Sequence, residues 1–503
     1  MTAQVEALAG LLGNAEVGSL VAGERLPGGG ETVVVEDPVT GTTGHTYRDG
    51  GEAAAGAALE AARVGGAAWR RLTASARAAI LAEAARTIAA RAEDLARLEA
   101  VTAAKPIRDA RAEVGKVAEM FAYYAGFADK VEGRVVPVPT SHLNVVLREP
   151  LGTVVQLTPW NAPVFTAGWQ LAPALAAGAA VVLKPSELTP ASSLLLVSLL
   201  HEAGVPRGAA NVVAGLGATA GARLVSDPAV GKVVFIGSVP TGRKVAAAAA
   251  MAGRPSLLEL GGKSANIVFA DADLKRAAKA AQGAIFAAAG QSCTAGSRLL
   301  VERPAYERMV EWVAQGADRL VVGPPMDART EVGPINNRRQ FERVKALLSA
   351  GEAEGARRVA GGVPREGDLA RGFFVRPTVF ADVDPGATLA REEIFGPVLA
   401  VTPFDTEEEA VALANGGDFD LAGAVWTRDV FRAHRVARAI RAGTVWVNGY
   451  RALSVMSPFG GMLGSGFGRS SGAEVMAEYT QPKSLWIETD ETATPPFGYA
   501  PEG

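Results

Sequence analysis

No charged residue appears between Glu149 and Lys184. A stretch of that length and apolarity has two natural homes, a lipid bilayer or a protein interior covered on both sides. Pro159, Pro163 and Pro173 interrupt it, with Asn161 and Gln170 between them. Its ends, residues 152–157 and 179–183, read as buried strands, and residues 169–177 read as a helix. An apolar strand, a crossover and a second apolar strand are the pattern of a parallel sheet, so no membrane span is expected.

The same alternation extends along the chain. Strands are predicted near 153–158, 179–183, 210–214, 232–236 and 265–269, with helical runs between them. A second series runs from 273 to 447, with strands near 298–302, 377–380, 397–401, 423–426 and 444–447. Ala-rich helices are expected over 52–65 and 74–104, and another over 108–130. Residues 135–139 and 143–149 look like a hairpin arm, and residues 483–488 a short strand. The Pro/Gly-rich tail 489–503 reads as extended or disordered.

With 503 residues there is material for two or three domains. A net charge of −3, with both signs dispersed, gives no electrostatic footprint for nucleic acid. Met1 to Glu6 lack the basic start of a signal peptide, so the expected location is cytoplasmic.

The chain has one cysteine, Cys293, in Gly290-Gln291-Ser292-Cys293-Thr294-Ala295-Gly296. Alone it forms neither an intramolecular disulfide nor a thiolate zinc site. It is a buried inert thiol or a nucleophile. Its small, Gly-rich neighbours would let another molecule approach the sulfur. Glu259, in Leu258-Glu259-Leu260-Gly261-Gly262-Lys263, offers a carboxylate in another Gly turn. Isolated, the pair reads as readily as an inert thiol and a salt-bridged strand-end Glu.

These two segments resemble the aldehyde dehydrogenase superfamily, NAD(P)-dependent enzymes that oxidise aldehydes to carboxylic acids. Pro159-Trp160-Asn161, Lys184-Pro185-Ser186-Glu187, Phe235-Ile236-Gly237-Ser238, Glu392-Glu393-Ile394-Phe395-Gly396-Pro397 and Pro458-Phe459-Gly460-Gly461 recur in the family's order, from about residue 20 to residue 488. The resemblance implies an α/β fold. A Rossmann-like parallel-sheet cofactor domain takes 1–130 and 150–261, and an α/β catalytic domain takes 262–464. A small β arm at 131–149 and 480–488 serves oligomerisation, as homodimer or homotetramer.

The resemblance also assigns roles. Cys293 is the nucleophile, passing through a thiohemiacetal and a thioester, and Glu259 is the general base. Asn161 and the Cys293 N–H hold the oxyanion. For the cofactor it names Trp160, Lys184, Glu187, Gly237, Ser238, Gly242, Leu260, Glu393 and Phe395, with Gln340 a weaker candidate. Glu187 would accept from a ribose 2′-hydroxyl and repel a 2′-phosphate, which favours NAD over NADP. Around a small-molecule aldehyde stand Ala162, Trp169, Ser292, Thr294, Tyr450, Arg451, Leu453 and Phe459; no metal is implied.

Rival readings are weaker. Coenzyme A-acylating relatives commonly lack the base that Glu259 supplies. A crystallin-like, non-catalytic relative would not need Cys293, Glu259 and Asn161 intact. A Cys–His hydrolase needs a nearby imidazole, and His45, His142, His201 and His434 all lie outside the Gly-rich motifs.

The chain departs from the family in three places. Gln170 follows Trp169 where many members have Lys, and Ser470 follows Arg469 where many have Glu. The joint loss of both charges predicts that the two positions touch, because losing one alone would leave a buried charge unpaired. Ala162, where an aromatic residue is common, predicts a wider substrate tunnel. The aldehyde could then be bulky or aromatic; Arg451 reads as a solvated residue at the rim in preference to one that recruits a carboxylate-bearing semialdehyde.

Overall fold

The uncharged stretch folds as a strand–helix–strand unit. Strands Thr153–Thr158 and Ala180–Pro185 are buried at every position and pair in parallel from Thr153↔Ala180 to Thr158↔Pro185. The helix between them, Pro163–Ala176, begins six residues before the predicted start because Pro163 stands in its first turn. There the missing N–H has no partner to lose and the fixed φ suits the helix. Among the described residues no helix is long and apolar enough to cross a membrane.

The computed structural model describes residues 6, 8, 10–12, 17–494 and 497–499. Thr153–Thr158 and Ala180–Pro185 are the centre of an eight-stranded sheet. On one side of Thr153–Thr158 lie Val230–Ile236 and then Ser256–Glu259, both parallel. On the other side of Ala180–Pro185 lies Ala210–Val212, also parallel. Antiparallel strands close both edges, Gly466–Phe467 against Ser256–Glu259 and Ser19–Val21 with Glu24–Leu26 against Ala210–Val212. These edge strands are too short to show a two-residue period in the sequence.

The second sheet has seven strands, in the order Arg357–Gly362, Arg376–Ala381, Val398–Phe404, Arg298–Glu302, Ala265–Val268, Ala422–Trp426 and Thr444–Val447. All neighbours are parallel except the first pair. The strand predicted near 265–269 therefore belongs here and not to the first series. Gly261 and Gly262 let the chain leave one sheet and enter the other between Glu259 and Ala265.

A three-stranded antiparallel sheet stands apart. Thr480–Glu488 pairs along its whole length with His142–Pro150, which also pairs with Arg134–Val136. Val135, Leu143, Trp486 and Ile487 of this sheet are exposed. A hairpin of Thr32–Asp37 and Thr42–Arg48 was not anticipated. The helix expected over 74–104 is two helices, Ala74–Ala90 and Ala92–Thr102. Arg91 leaves helical geometry between them, at φ −109° and ψ 20°. Residues 489–494 and 497–499 of the predicted tail carry neither helix nor strand, and the rest of it lies outside the described residues.

Two glycines test how tightly this frame is set. A Cβ on Gly231, inside the strand Val230–Ile236, would lie 1.6 Å from the Leu151 carbonyl oxygen. Gly115 is exposed on the helix Ile107–Ala125, and a Cβ there meets nothing within 4 Å. Gly231→Ala should cost at least about 2 kcal/mol, since backbone must move. Gly115→Ala should gain up to about 1 kcal/mol through helix propensity. Denaturant midpoints of the two variants measure both, and equal midpoints would contradict the stated packing.

Candidate active site

Carboxyl ends of strands in the first sheet and the loops that lead into the amino ends of strands in the second sheet open onto one cavity of about 1690 Å³. That exceeds the usual volume of a small-ligand pocket, roughly 300–1,000 Å³. It has room for a dinucleotide and a second molecule. Cys293, Glu259 and Asn161 all line it.

Glu259 ends the strand Ser256–Glu259, and the chain turns at once through Gly261 and Gly262. A Cβ on Gly262 would lie 2.3 Å from the Cys293 carbonyl oxygen, and one on Gly261 would lie 2.2 Å from the Glu393 carboxylate. The two glycines thus let the Cys293 loop and the Glu393 loop press against the turn that carries Glu259. The Cys293 loop is itself held under strain. Ala288 and Ala289 have φ of 54°, a region side-chain-bearing residues seldom occupy. Gln291 clamps the loop, its side-chain Oε1 accepting from the Asn336 N–H at 2.9 Å.

Glu259 is buried, and loss of water raises its pKa to about 8. The Ser470 hydroxyl donates to Oε1 and opposes the rise, as does the Arg469 charge, while Glu478 adds to it. Oε2 has no protein hydrogen-bond partner. The Cys293 thiol is half-buried in surface terms, yet deep enough that desolvation pushes it up to about 12. The charges of Glu259 and Glu393 push the same way, whereas Arg451 and the Thr294 N–H oppose them. Cys293 and Glu259 therefore sense each other, and the dry site disfavours charge on both at once.

Asn161 follows the strand Thr153–Thr158, and its amide nitrogen donates to the Gln291 carbonyl oxygen at 2.9 Å. An amide has two hydrogens, so one remains. Among the described residues the Cys293 N–H has no hydrogen-bond acceptor. Ser292 and Thr294 flank the thiol, their hydroxyls 3.2 Å apart.

One wall is built by Trp160, Gly237, Ser238, Leu260, Gln340, Glu393 and Phe395. Trp160 and Phe395 meet edge-on at 5.3 Å, with Phe395 held at φ 55°. Glu393 accepts from the Gly262 N–H at 3.0 Å, and burial raises its pKa to about 7. Gln340 donates to the Ile394 and Phe395 carbonyls at 2.8 and 3.0 Å, so its amide nitrogen holds that turn rather than facing a ligand. Ser238 precedes the helix Val239–Met251, whose first turn faces the cavity without a side-chain cap. Gly242 does not line the cavity; a Cβ there would meet the Leu260 side chain at 2.4 Å, so its smallness seats Leu260. Lys184 and Glu187 also lie outside the lining. They stand at the end of the strand Ala180–Pro185, 3.9 Å apart, with Lys184 Nζ donating to the Pro185 carbonyl.

The opposite wall holds Ala162, Trp169, Arg451, Leu453 and Phe459. Trp169 packs on Phe459 at 5.0 Å and on Phe165 at 5.6 Å. Phe165 also lines the cavity and was missed, although its place one helical turn before Trp169 signalled it. Tyr450 is the correction: its ring faces away from the cavity, 4.7 Å from Trp446 and against Gly296, because the left-handed residues Asn448 and Arg451 reverse the loop around it.

Gln170 and Ser470 do not bond to each other. Ser470 serves Glu259, while the Gln170 side-chain oxygen accepts from the Tyr479 hydroxyl at 2.6 Å. Two neutral groups satisfy different neighbours, so their joint occurrence needs no direct contact.

Comparison with known proteins agrees with this geometry. The model of the aldehyde dehydrogenase family matches residues 26–485. Betaine aldehyde dehydrogenase from Cereibacter sphaeroides (strain ATCC 17029 / ATH 2.4.9) is 44% identical over 459 residues, covering 91% of this chain and 94% of that protein. Human retinal dehydrogenase 2 is 40% identical over 467 residues, covering 91% and 89%. Among solved structures, betaine aldehyde dehydrogenase from Staphylococcus aureus in complex with NAD+ has a TM-score of 0.95 at 34% identity, covering 99% of this chain and 100% of that one. PnpE from Pseudomonas sp. WBC-3 in complex with nicotinamide adenine dinucleotide has a TM-score of 0.93 at 39% identity, covering 96% and 99%. With a family model spanning nearly its whole length, and with the cysteine and carboxylate of its sequence motifs opening on one cavity, this chain belongs to the aldehyde dehydrogenase family.

Proposed function

We propose that this protein oxidises an aldehyde to its carboxylic acid with NAD, using Cys293 as nucleophile and Glu259 as general base. The observation that carries the reading is the shared cavity, with the lone thiol and a buried, incompletely bonded carboxylate on one side of it.

The uncapped first turn of Val239–Met251 suits a pyrophosphate, because its orphan N–H groups and the helix dipole both favour an anion. The Trp160 and Phe395 rings and the Glu393 carboxylate suit the nicotinamide riboside end. Glu187, beside Lys184 at the sheet's carboxyl edge, suits the adenine ribose. NAD bound there would accept the hydride; relatives with bound NAD support this cofactor.

The thiol is protonated at neutral pH, so attack needs the proton removed as the C–S bond forms. Glu259 takes that proton, and the carbonyl oxygen gains the charge. The free Asn161 amide hydrogen and the Cys293 N–H are placed to receive that oxygen. Loss of hydride leaves a thioester on Cys293. Glu259, deprotonated again, activates water to release the acid. No step calls for coenzyme A.

The first sheet with its helices would be the cofactor domain (1–130 and 150–261) and the second the catalytic domain (262–464). The three-stranded sheet of 131–149 and 480–488, with Val135, Trp486 and Ile487 exposed, would join copies of the chain into a dimer or tetramer. A single reduced thiol as nucleophile fits a reducing compartment such as the cytoplasm.

Cys293→Ala should reduce NADH formation below a tenth of wild type, more than about 1.4 kcal/mol. NAD binding, read by tryptophan fluorescence, should persist; a tenth or more of the turnover surviving would remove Cys293 from the chemistry. Glu259→Gln should leave a rapid burst of NADH followed by slow turnover, seen by stopped flow. In the wild type the base must be ionised, so steady turnover should rise with pH through about 8. Ser470→Ala removes a donor that stabilises the charged carboxylate, so this limb should move to higher pH; an unmoved limb would assign the ionisation to another group. Glu187→Ser should raise the kcat/KM of NADP relative to NAD, and equal use of the two by the wild type would show that Glu187 does not face the 2′ position.

A further inference from the structure

Resting on that reading of the site, we propose that Arg451 is an anion-binding residue of the substrate pocket and that the aldehyde carries a carboxylate or similar acidic group. The sequence alone favoured a solvated arginine at the rim. Three observations of the structure change that.

First, Arg451 lines the cavity on the side of Trp169 and Phe459, and it is half-buried. Second, it is in no ion pair among the described residues. Its single side-chain hydrogen bond is to the Gly283 carbonyl at 3.3 Å, which leaves most of the five guanidinium donors free. Other charges on this stretch of the lining are neutralised. Lys116 pairs with Glu119 at 2.6 Å, Glu113 with Lys105, and Asp109 with Arg108 at 3.2 Å. Arg451 is therefore a cation of this wall with no ion-pair partner among the described residues, while the exposed Asp418 is an unpaired acid elsewhere in the lining. Third, the residue is held in place. Its backbone sits at φ 62°, where a side-chain-bearing residue stays only if its surroundings enforce it. Trp446 Nε1 donates to the Ala452 carbonyl at 2.8 Å, and Tyr450 is packed between Trp446 and Gly296. A mobile rim arginine would need no such anchoring.

Electrostatic reach agrees with the geometry, since the Arg451 charge acts on the Cys293 thiol. The rest of the wall, with Ala162, Phe165, Trp169, Leu453 and Phe459, is apolar or small. The occupant that fits has an apolar middle, a carbonyl at Cys293 and an anionic group at Arg451. A quaternary-ammonium aldehyde would meet a like charge there.

The test uses the intact enzyme with NAD and three aldehydes: one with a terminal carboxylate, a neutral one of matched length, and betaine aldehyde. The wild type should show its highest kcat/KM with the acidic aldehyde and its lowest with betaine aldehyde. Arg451→Asn, chosen because Asn tolerates the left-handed backbone, should lower the acidic-to-neutral ratio by at least about tenfold, mainly through KM, as expected for a lost charge-assisted hydrogen bond. Arg451→Lys should restore part of it. A wild-type preference for the neutral or quaternary-ammonium aldehyde, or a ratio unmoved in Arg451→Asn, would overturn the proposal.

A second readout does not depend on turnover. Cys293 is the chain's only thiol, so alkylation reports on it alone. The rate with anionic iodoacetate relative to neutral iodoacetamide should fall several-fold in Arg451→Asn. If no aldehyde yields NADH while this ratio still falls, the oxidation reading fails and the anion site stands. An unchanged ratio removes the anion site whatever the activity.

Discussion

The turn at Gly261–Gly262 is where two sheets, a nucleophile and a base are brought into one place. Side chains there would need to occupy space held by the Cys293 backbone and the Glu393 carboxylate. Backbone cannot yield as a flexible side chain can, so the approach of the Cys293 loop depends on the missing Cβ of Gly262, while at Gly261 it is the Glu393 carboxylate that takes the space. The strand Ser256–Glu259 delivers the base to this turn from the first sheet, and the strand Ala265–Val268 carries the chain on into the second. The cavity between the sheets and the pairing of thiol with carboxylate both follow from that contact.

The dryness of this place sets its chemistry. Burial raises Glu259, Glu393 and Cys293 together, and the charges of Glu259 and Glu393 both make ionisation of the Cys293 thiol harder. Such a cluster holds few negative charges at once, so a proton leaving sulfur has a nearby oxygen to receive it. A positive group at the far side, Arg451, lies outside the carboxylate cluster but within reach of the thiol. The same charge that eases thiolate formation is thus available to an acidic substrate. On the proposed reading one arginine would act on both the thiol and its choice of substrate.

Much of this was legible in the sequence because it rests on period and on motif. The strands near 153–158, 179–183, 298–302 and 423–426 showed themselves as apolar runs between helical stretches, and all four lie inside the two sheets rather than at their edges. Cys293, Glu259 and Asn161 stand in Gly- and Pro-rich flanks, but it was the resemblance of those motifs to the family that singled them out. The edge strands did not, since two or three residues carry no period and their pairing is decided by what lies beside them. The strand near 265–269 was placed in the wrong series because a local pattern says nothing about which sheet a strand joins. Tyr450 was assigned by position in a loop, but orientation there depends on the positive φ values of Asn448 and Arg451; Gln340 does line the cavity, with its amide nitrogen held by the Ile394 and Phe395 carbonyls.

The departure at Gln170 and Ser470 shows the same limit most clearly. A matched loss of charges suggested a contact; no hydrogen bond joins the two side chains, and each serves a different neighbour. Ser470 reaches Glu259 directly, so a hydroxyl donor and the Arg469 charge set against burial decide the charge of the base. Gln170 turns to Tyr479, while its backbone carbonyl accepts from Gln156 at 2.9 Å. A buried ammonium at either place would demand a carboxylate close by, and that carboxylate would compete with Glu259 for the few negative charges the site can hold. Neutral side chains avoid the competition. On the proposed reading they leave Glu259 as the proton-exchanging group, its pKa set by burial against the Ser470 hydroxyl and the Arg469 charge.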